Sequence, residues 1–127
     1  MADSIPRISD AEWTVMRVFW ERGELAVGDV IEALSGETEW KPRTVQTLVR
    51  RLHQKKALSH RKSGRGFRYS PAVAEADCEH AASRSFLGSV FGGELAPFLA
   101  NFVEREALTT EEVEELKRIL DKESGNT

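Results

Sequence analysis

The side chains best placed to do chemistry lie between Lys41 and Arg68. That stretch holds Lys41, Arg43, Arg50, Arg51, Lys55, Lys56, Arg61, Lys62, Arg65 and Arg68, and no acidic residue. Ten cations within 28 residues form an electrostatic footprint for a polyanion. A merely solvated face would interleave both signs. Inside this stretch Val45, Leu48, Val49 and Leu52 recur at i, i+3, i+4 and i+7, the apolar stripe of a helix. Pro42 opens it, since a first-turn proline lacks only an N–H that would be unpaired anyway. At about 100° per residue, Arg43, Thr47, Arg50 and Gln54 project from the opposite face. Thr44 and Arg51 flank that face on one side and Gln46 on the other. Guanidiniums, hydroxyls and amides are the groups that read base edges and phosphates in a major groove. The chemistry predicted here is recognition of double-stranded DNA.

Reactive chemistry finds no comparable support. The sequence shows no Ser/His/Asp arrangement, no phosphate-cradling glycine loop and no carboxylate pair in a plausible pocket, so no enzyme is expected. His53, His60 and His80 are scattered without ligand spacing. Cys78 is the only cysteine, which excludes an internal disulfide and every zinc pattern built on paired cysteines. No metal and no cofactor are expected. Cys78 reads as a small, partly buried apolar group.

The elements that must carry the reading helix follow from local signals. Ser9-Asp10-Ala11-Glu12 is a capping box ahead of a helix running through Trp13, Met16, Phe19 and Trp20 to Gly23, with those large side chains facing the core. A second, poorly capped helix covers Val27 to Leu34, with Val27, Val30, Ile31 and Leu34 in helical register, and Gly36 closes it. The reading helix, Pro42 to Lys55, is the third. Leu58 to Lys62 and Phe67 to Ser70 then read as strands around Ser63-Gly64-Arg65-Gly66. The two glycines offer the positive φ of a tight turn, and Arg65 sits at its tip. Three helices and a basic hairpin make a winged helix-turn-helix, assigned to residues 1–72.

The remainder, 73–127, has the opposite character. Residues 1–72 carry 13 Lys or Arg against 9 Asp or Glu, a balance of +4, whereas 73–127 carry 5 against 12, a balance of −7. The overall net charge of −3 conceals this division. Three more helices are predicted, over about Ala74 to Phe91, Glu94 to Glu106 and Thr109 to Lys122, with Gly92-Gly93 parting the first two and the tail Ser124-Gly125-Asn126-Thr127 frayed. Their apolar series includes Phe86, Val90, Leu95, Phe98, Leu99, Phe102 and Leu116. Three helices of this length bury too little to stand alone and need either the first domain or a second copy. The second copy is the stronger choice, because proteins reading two half-sites are usually twofold. The fold class is therefore mainly α with a small β-hairpin: an N-terminal winged helix-turn-helix and a C-terminal helical dimerisation domain, forming a homodimer. No apolar run approaches the roughly 20 residues of a membrane span. Met1 to Arg7 lacks a basic stretch followed by an apolar one, so no secretory leader and a reducing, cytoplasmic setting are expected.

Several fragments together resemble the penicillinase-repressor family (BlaI and MecI, with CopY a relative). They are Ile8-Ser9-Asp10-Ala11-Glu12-Trp13, Trp40 through Leu48 with Arg51-Leu52, Phe91-Gly92-Gly93, Asn101-Phe102-Val103-Glu104 and Glu114-Glu115-Leu116. They occur in one order from Ile8 to about Leu120. The resemblance implies a dimeric repressor of resistance genes that binds an inverted-repeat operator, commonly with TACA/TGTA half-sites. It places Arg43, Thr44, Gln46, Thr47 and Arg51 on the DNA-reading helix. It also implies derepression by a sensor protease that cuts an Asn–Phe bond, which Asn101-Phe102 matches. From its register alone Phe102 belongs with Phe98 and Leu99 as a packing residue. Two departures stand out: Lys41 precedes the reading helix where serine is common, and the cysteine cluster of the copper-responsive branch is absent. The competing readings are a winged-helix module that docks on protein, or a repressor of this family answering another signal.

Overall fold

The computed structural model describes residues 5–125, so Met1 to Ser4, the start of the segment expected not to be a secretory leader, and Asn126-Thr127 of the tail lie outside the described residues. The order is α1 (Asp10–Arg22), α2 (Val27–Leu34), α3 (Pro42–Gln54), β1 (Leu58–Ser63), β2 (Gly66–Pro71), α4 (Glu75–Val90), α5 (Leu95–Arg105) and α6 (Thr110–Ser124). The chain divides into two compact units, the first ending at Arg84 and the second beginning at Ser85. The expected boundary at 72/73 thus falls earlier than the division. Val73 packs on the first unit's core, and Trp20 Nε1 donates to the Val73 carbonyl at 3.0 Å, which draws the start of α4 into that unit.

Local chemistry accounts for the helix ends. Ser9 Oγ accepts from the Glu12 N–H at 3.2 Å while Glu12 Oε1 accepts from the Ser9 N–H at 2.9 Å, closing the capping box of α1. Gly23, at φ +86°, ends the helix. Ala26 has no side chain to cap α2, but the Asp29 carboxylate accepts the Ala26 N–H at 3.1 Å and supplies half of the box. The C-terminus of α3 is a Schellman motif: Lys56 N–H donates to the His53 carbonyl and Ala57 N–H to that of Leu52. The left-handed position falls on Lys56, φ +69°, where glycine is usual. α6 continues to Ser124 with Gly125 as its cap, so the first two residues of the tail expected to fray instead finish a helix.

In the first unit Val15, Met16, Phe19, Val30, Leu34, Val45, Leu48, Val49, Leu52 and Leu58 form one buried cluster. Trp20 only borders it, and Trp13 lies half-buried beside Trp20 with ring centroids 5.5 Å apart, so the two tryptophans are less central than their spacing predicts. β1 and β2 are antiparallel with Ser63 opposite Gly66, and Leu25 makes a single-residue β-bridge to Tyr69 through two backbone hydrogen bonds. Only Gly64 of the hairpin takes positive φ, +61°; Gly66 does not. That is the demand of a type II′ loop and not of a type I′ loop, which needs two such residues.

The second unit has a thinner interior. Phe86, Phe91, Phe98 and Phe102 form a chain of ring contacts with centroids 5.6–6.0 Å apart. Among the described residues of this unit only Leu87 is buried, and α5 and α6 contain no buried residue.

Glu12 is the group through which the first unit's stability is expected to depend on acid. Its side chain is almost wholly buried and paired with Lys55 Nζ, which also donates to the Arg7 carbonyl at 2.7 Å. Burial alone would push its carboxyl up, but hydrogen bonds from Lys55 and the Ser9 backbone, with the Lys55 charge, hold it below the usual glutamate range. A carboxyl lowered in the folded state contributes stability above its unfolded value and loses it as pH falls through the folded one. Glu12→Gln should therefore cost about 1–3 kcal/mol at neutral pH. Urea unfolding at pH 7 and pH 3 should show that gap narrowing in acid.

Candidate nucleic-acid interface

The surface of α3 is divided as an amphipathic helix requires. Val45, Leu48, Val49 and Leu52 are buried. Arg43, Thr44, Gln46, Arg50, Arg51 and Gln54 are exposed, and Thr47 is half-buried between them. Lys41 takes the N-cap position in extended backbone but contributes no side-chain cap, so the departure from serine leaves the amino end of α3 without a hydroxyl on its first N–H groups. That end of a helix carries a partial positive charge suited to a phosphate oxygen, although Pro42 has no N–H and the Thr44 and Val45 N–H groups already donate to the Lys41 carbonyl. Arg65 stands exposed in the loop between β1 and β2, within the same compact unit.

The ten cations are not equivalent. Lys55 is taken by Glu12, and Arg61 and Arg68 by Glu24. Among the described residues Lys41, Arg43, Arg50, Arg51, Lys56, Lys62 and Arg65 form no ion pair, and each is exposed. These seven are the cations of the stretch that no carboxylate neutralises. Glu24 carries no signal in the sequence, because its partners lie 37 and 44 residues away.

The histidines depart from the expectation of scattered residues. His53 and His60 meet edge to face with centroids 4.2 Å apart, and both contact Tyr69, while Phe67 adds a fourth ring against His60. The Schellman turn makes the encounter possible by reversing the chain directly after α3. This aromatic group joins the end of α3 to the hairpin. Among the described residues no group of three or more His, Cys, Asp or Glu could hold a metal ion. No single helix among them is long and apolar enough to cross a membrane.

The comparisons with known proteins converge. The model of the family described as "Penicillinase repressor" matches residues 8–122. A penicillinase repressor of Bacillus licheniformis is 43% identical over 117 residues, 92% of this chain and 91% of that protein. The methicillin resistance regulatory protein MecI of Mammaliicoccus sciuri is 36% identical over 115 residues, 91% of this chain and 94% of that one. The solution structure of the Bacillus licheniformis BlaI monomeric form, in complex with the blaP half-operator, is 46% identical with a TM-score of 0.52. That match covers 58% of this chain and 90% of the other.

Cys78 is 2% exposed. Burial pushes its thiol up, and the neighbouring Asp77 and Glu79 add to the shift. Both factors suppress the thiolate, which is the reactive form. A disulfide reagent at pH 8 should label the native protein at least about tenfold more slowly than the urea-unfolded chain. Equal rates would show that this thiol is accessible.

Proposed function

Because the chain belongs to the penicillinase-repressor family, we propose that it represses transcription as a homodimer on an inverted-repeat operator, each copy presenting α3 to a major groove and the hairpin as a wing. The observation that carries this reading is the acid-free face of α3. Four apolar side chains anchor the helix in the core, and Arg43, Thr44, Gln46, Thr47, Arg50 and Arg51 are left outward with no carboxylate between Lys41 and Arg68 to repel a phosphate. The relatives are repressors, not enzymes, and one neighbour is a complex with operator DNA. A winged-helix module that docks on protein would have no need of such a face.

Base readers and phosphate clamps should separate in mutants. Arg43→Ala and Thr47→Ala should relax sequence preference, each at about 1–3 kcal/mol for a lost base contact. Arg65→Ala should weaken all duplexes alike and flatten the salt dependence by about one unit. Electrophoretic titration of a duplex with paired TACA/TGTA half-sites, and of a scrambled one, checks this. A changed half-site preference in Arg65→Ala alone would reverse the two roles.

Pairing is assigned to the second unit. Phe86 is 47% exposed, Val90 59%, Leu95 52%, Phe102 48% and Leu116 38%, while Phe98 and Leu99 are half-buried. Phe98, Leu99, Phe102, Val103 and Leu108 line a groove between α5 and α6. Apolar faces this open are what a second copy would cover. Asn101 and Phe102 are both exposed on α5. A protease reads extended chain, so a cut there needs α5 to unwind locally, and a helix with no buried residue offers little resistance. The cut would remove α6 and end the apolar series from Leu95 to Val103.

Two linked reading domains gain about 10²–10⁴ in avidity over one without any new contact. A chain ending at Asn101 should therefore be monomeric by sedimentation and bind the paired duplex at least about 100-fold more weakly, with its circular dichroism still helical. Full-strength binding by that chain would exclude cleavage as the switch and point to another signal.

A further inference from the structure

Glu24 lies between α1 and α2, just before Leu25 joins the edge of β2. Its carboxylate grips the hairpin from outside: Arg61 Nε donates to Oε2 at 2.7 Å and Arg61 Nη2 to Oε1 at 2.9 Å. Arg68 Nε lies 3.5 Å from Oε1, and Arg68 Nη2 donates to the Glu24 backbone carbonyl at 3.3 Å. Arg61 and Arg68 stand directly opposite each other in the β1–β2 register. Like charges facing across a ladder push the strands apart, and the stretch from Lys41 to Arg68 holds no acid of its own to relieve them.

An exposed ion pair usually contributes little, but a two-pronged arginine fork is the exception, because its geometry is defined by two parallel hydrogen bonds. The Arg61 hydrogen bonds are also the main reason the Glu24 carboxyl lies below the usual range. The neighbouring Leu25–Tyr69 backbone pair, with N–O distances of 2.9 and 2.7 Å, ties the same edge. Backbone and side chain of Glu24-Leu25 thus hold the hairpin against the helical part of the first unit. The opposite face of the hairpin is held by the rings of His53, His60 and Tyr69.

We infer that Glu24 is a positioning residue of the wing: it holds Arg61 and Arg68 on one face of the hairpin and thereby sets where the Arg65 tip meets DNA. The inference rests on the proposed reading of the hairpin as a DNA-binding wing. It makes a prediction opposite in sign to simple charge. Removing a carboxylate from a basic surface should tighten binding to every duplex. Removing a positioning group should instead weaken binding to every duplex, because the Arg65 clamp it places is not sequence-selective.

The test compares full-length wild type, Glu24→Gln and Arg61→Lys on the paired TACA/TGTA duplex and a scrambled duplex at one salt concentration. Arg61→Lys keeps the charge and loses the fork. Both variants should weaken binding to the two duplexes alike, by about three- to tenfold, as misplacing the Arg65 clamp requires. Amide exchange in DNA-free protein should rise across residues 58–71 and stay unchanged in α3. Tightening on both duplexes by Glu24→Gln, or unchanged affinity in Arg61→Lys, overturns the inference, as does unaltered exchange in the hairpin. Should Glu24→Gln fail to fold, Arg61→Lys alone decides. If wild type itself showed no preference between the duplexes, the repressor reading would fail, and hairpin exchange would still report whether Glu24 holds the wing.

Discussion

Burial of one face of α3 is the constraint from which the rest of the first unit follows. A 13-residue helix with a mean apolar content as low as this one has little stability by itself, and tertiary packing must hold it. Val45, Leu48, Val49 and Leu52 supply a single narrow stripe, and α1 and α2 exist to cover it with Val15, Met16, Phe19, Val30 and Leu34. Once the stripe is covered, the rotation of the helix is set to within a residue. Arg43, Thr44, Gln46, Arg50 and Arg51 then have nowhere to go but outward. The core thus determines which side chains can reach a ligand without touching one itself.

The same constraint explains the supports around α3. Its first turn is anchored by no side-chain cap, and its last turn is held from three directions. Lys55 reaches back to Glu12 at the start of α1, the Schellman turn returns the chain into β1, and His53 packs against His60 and Tyr69. The end held tightly is the end away from Arg43, Thr44 and Thr47, the outward residues of the first turns.

What could be read from the sequence was local. The α1 capping box, the Pro42 start, the apolar periods and the Gly64 turn each lie within a few residues of the feature they determine, and the predicted elements match the observed ones to within a residue or two. What escaped was long-range or atypical. Glu24 meets Arg61 and Arg68 only because the chain folds back, and His53 meets His60 only through a left-handed Lys56 that no propensity would nominate. The second strand glycine, Gly66, needs no special conformation, which glycine composition alone cannot reveal. Leu87, buried where Phe86 and Val90 are not, shows the same limit: periodicity finds an apolar face but not which member of it is covered.

The second unit obeys a different rule. Its last helix is well capped, with Thr109 and Glu112 closing a full box at the start of α6, yet neither α5 nor α6 contains a buried residue. Good local signals with an unfilled core are what a segment needs if it is to be completed by another chain: the helices form readily, and their association decides stability. Such a design makes control simple. In the proposed dimer the two reading domains communicate only through being linked, so no structural change need travel from α5 to α3. A signal that acts on the second unit alters the effective concentration of one reading domain at its half-site, while each α3 keeps its packing and its outward face. Coupling by linkage asks for no two-state element in the first unit, where Phe19 and Leu52 lie in one buried cluster that a signal in the second unit need not repack.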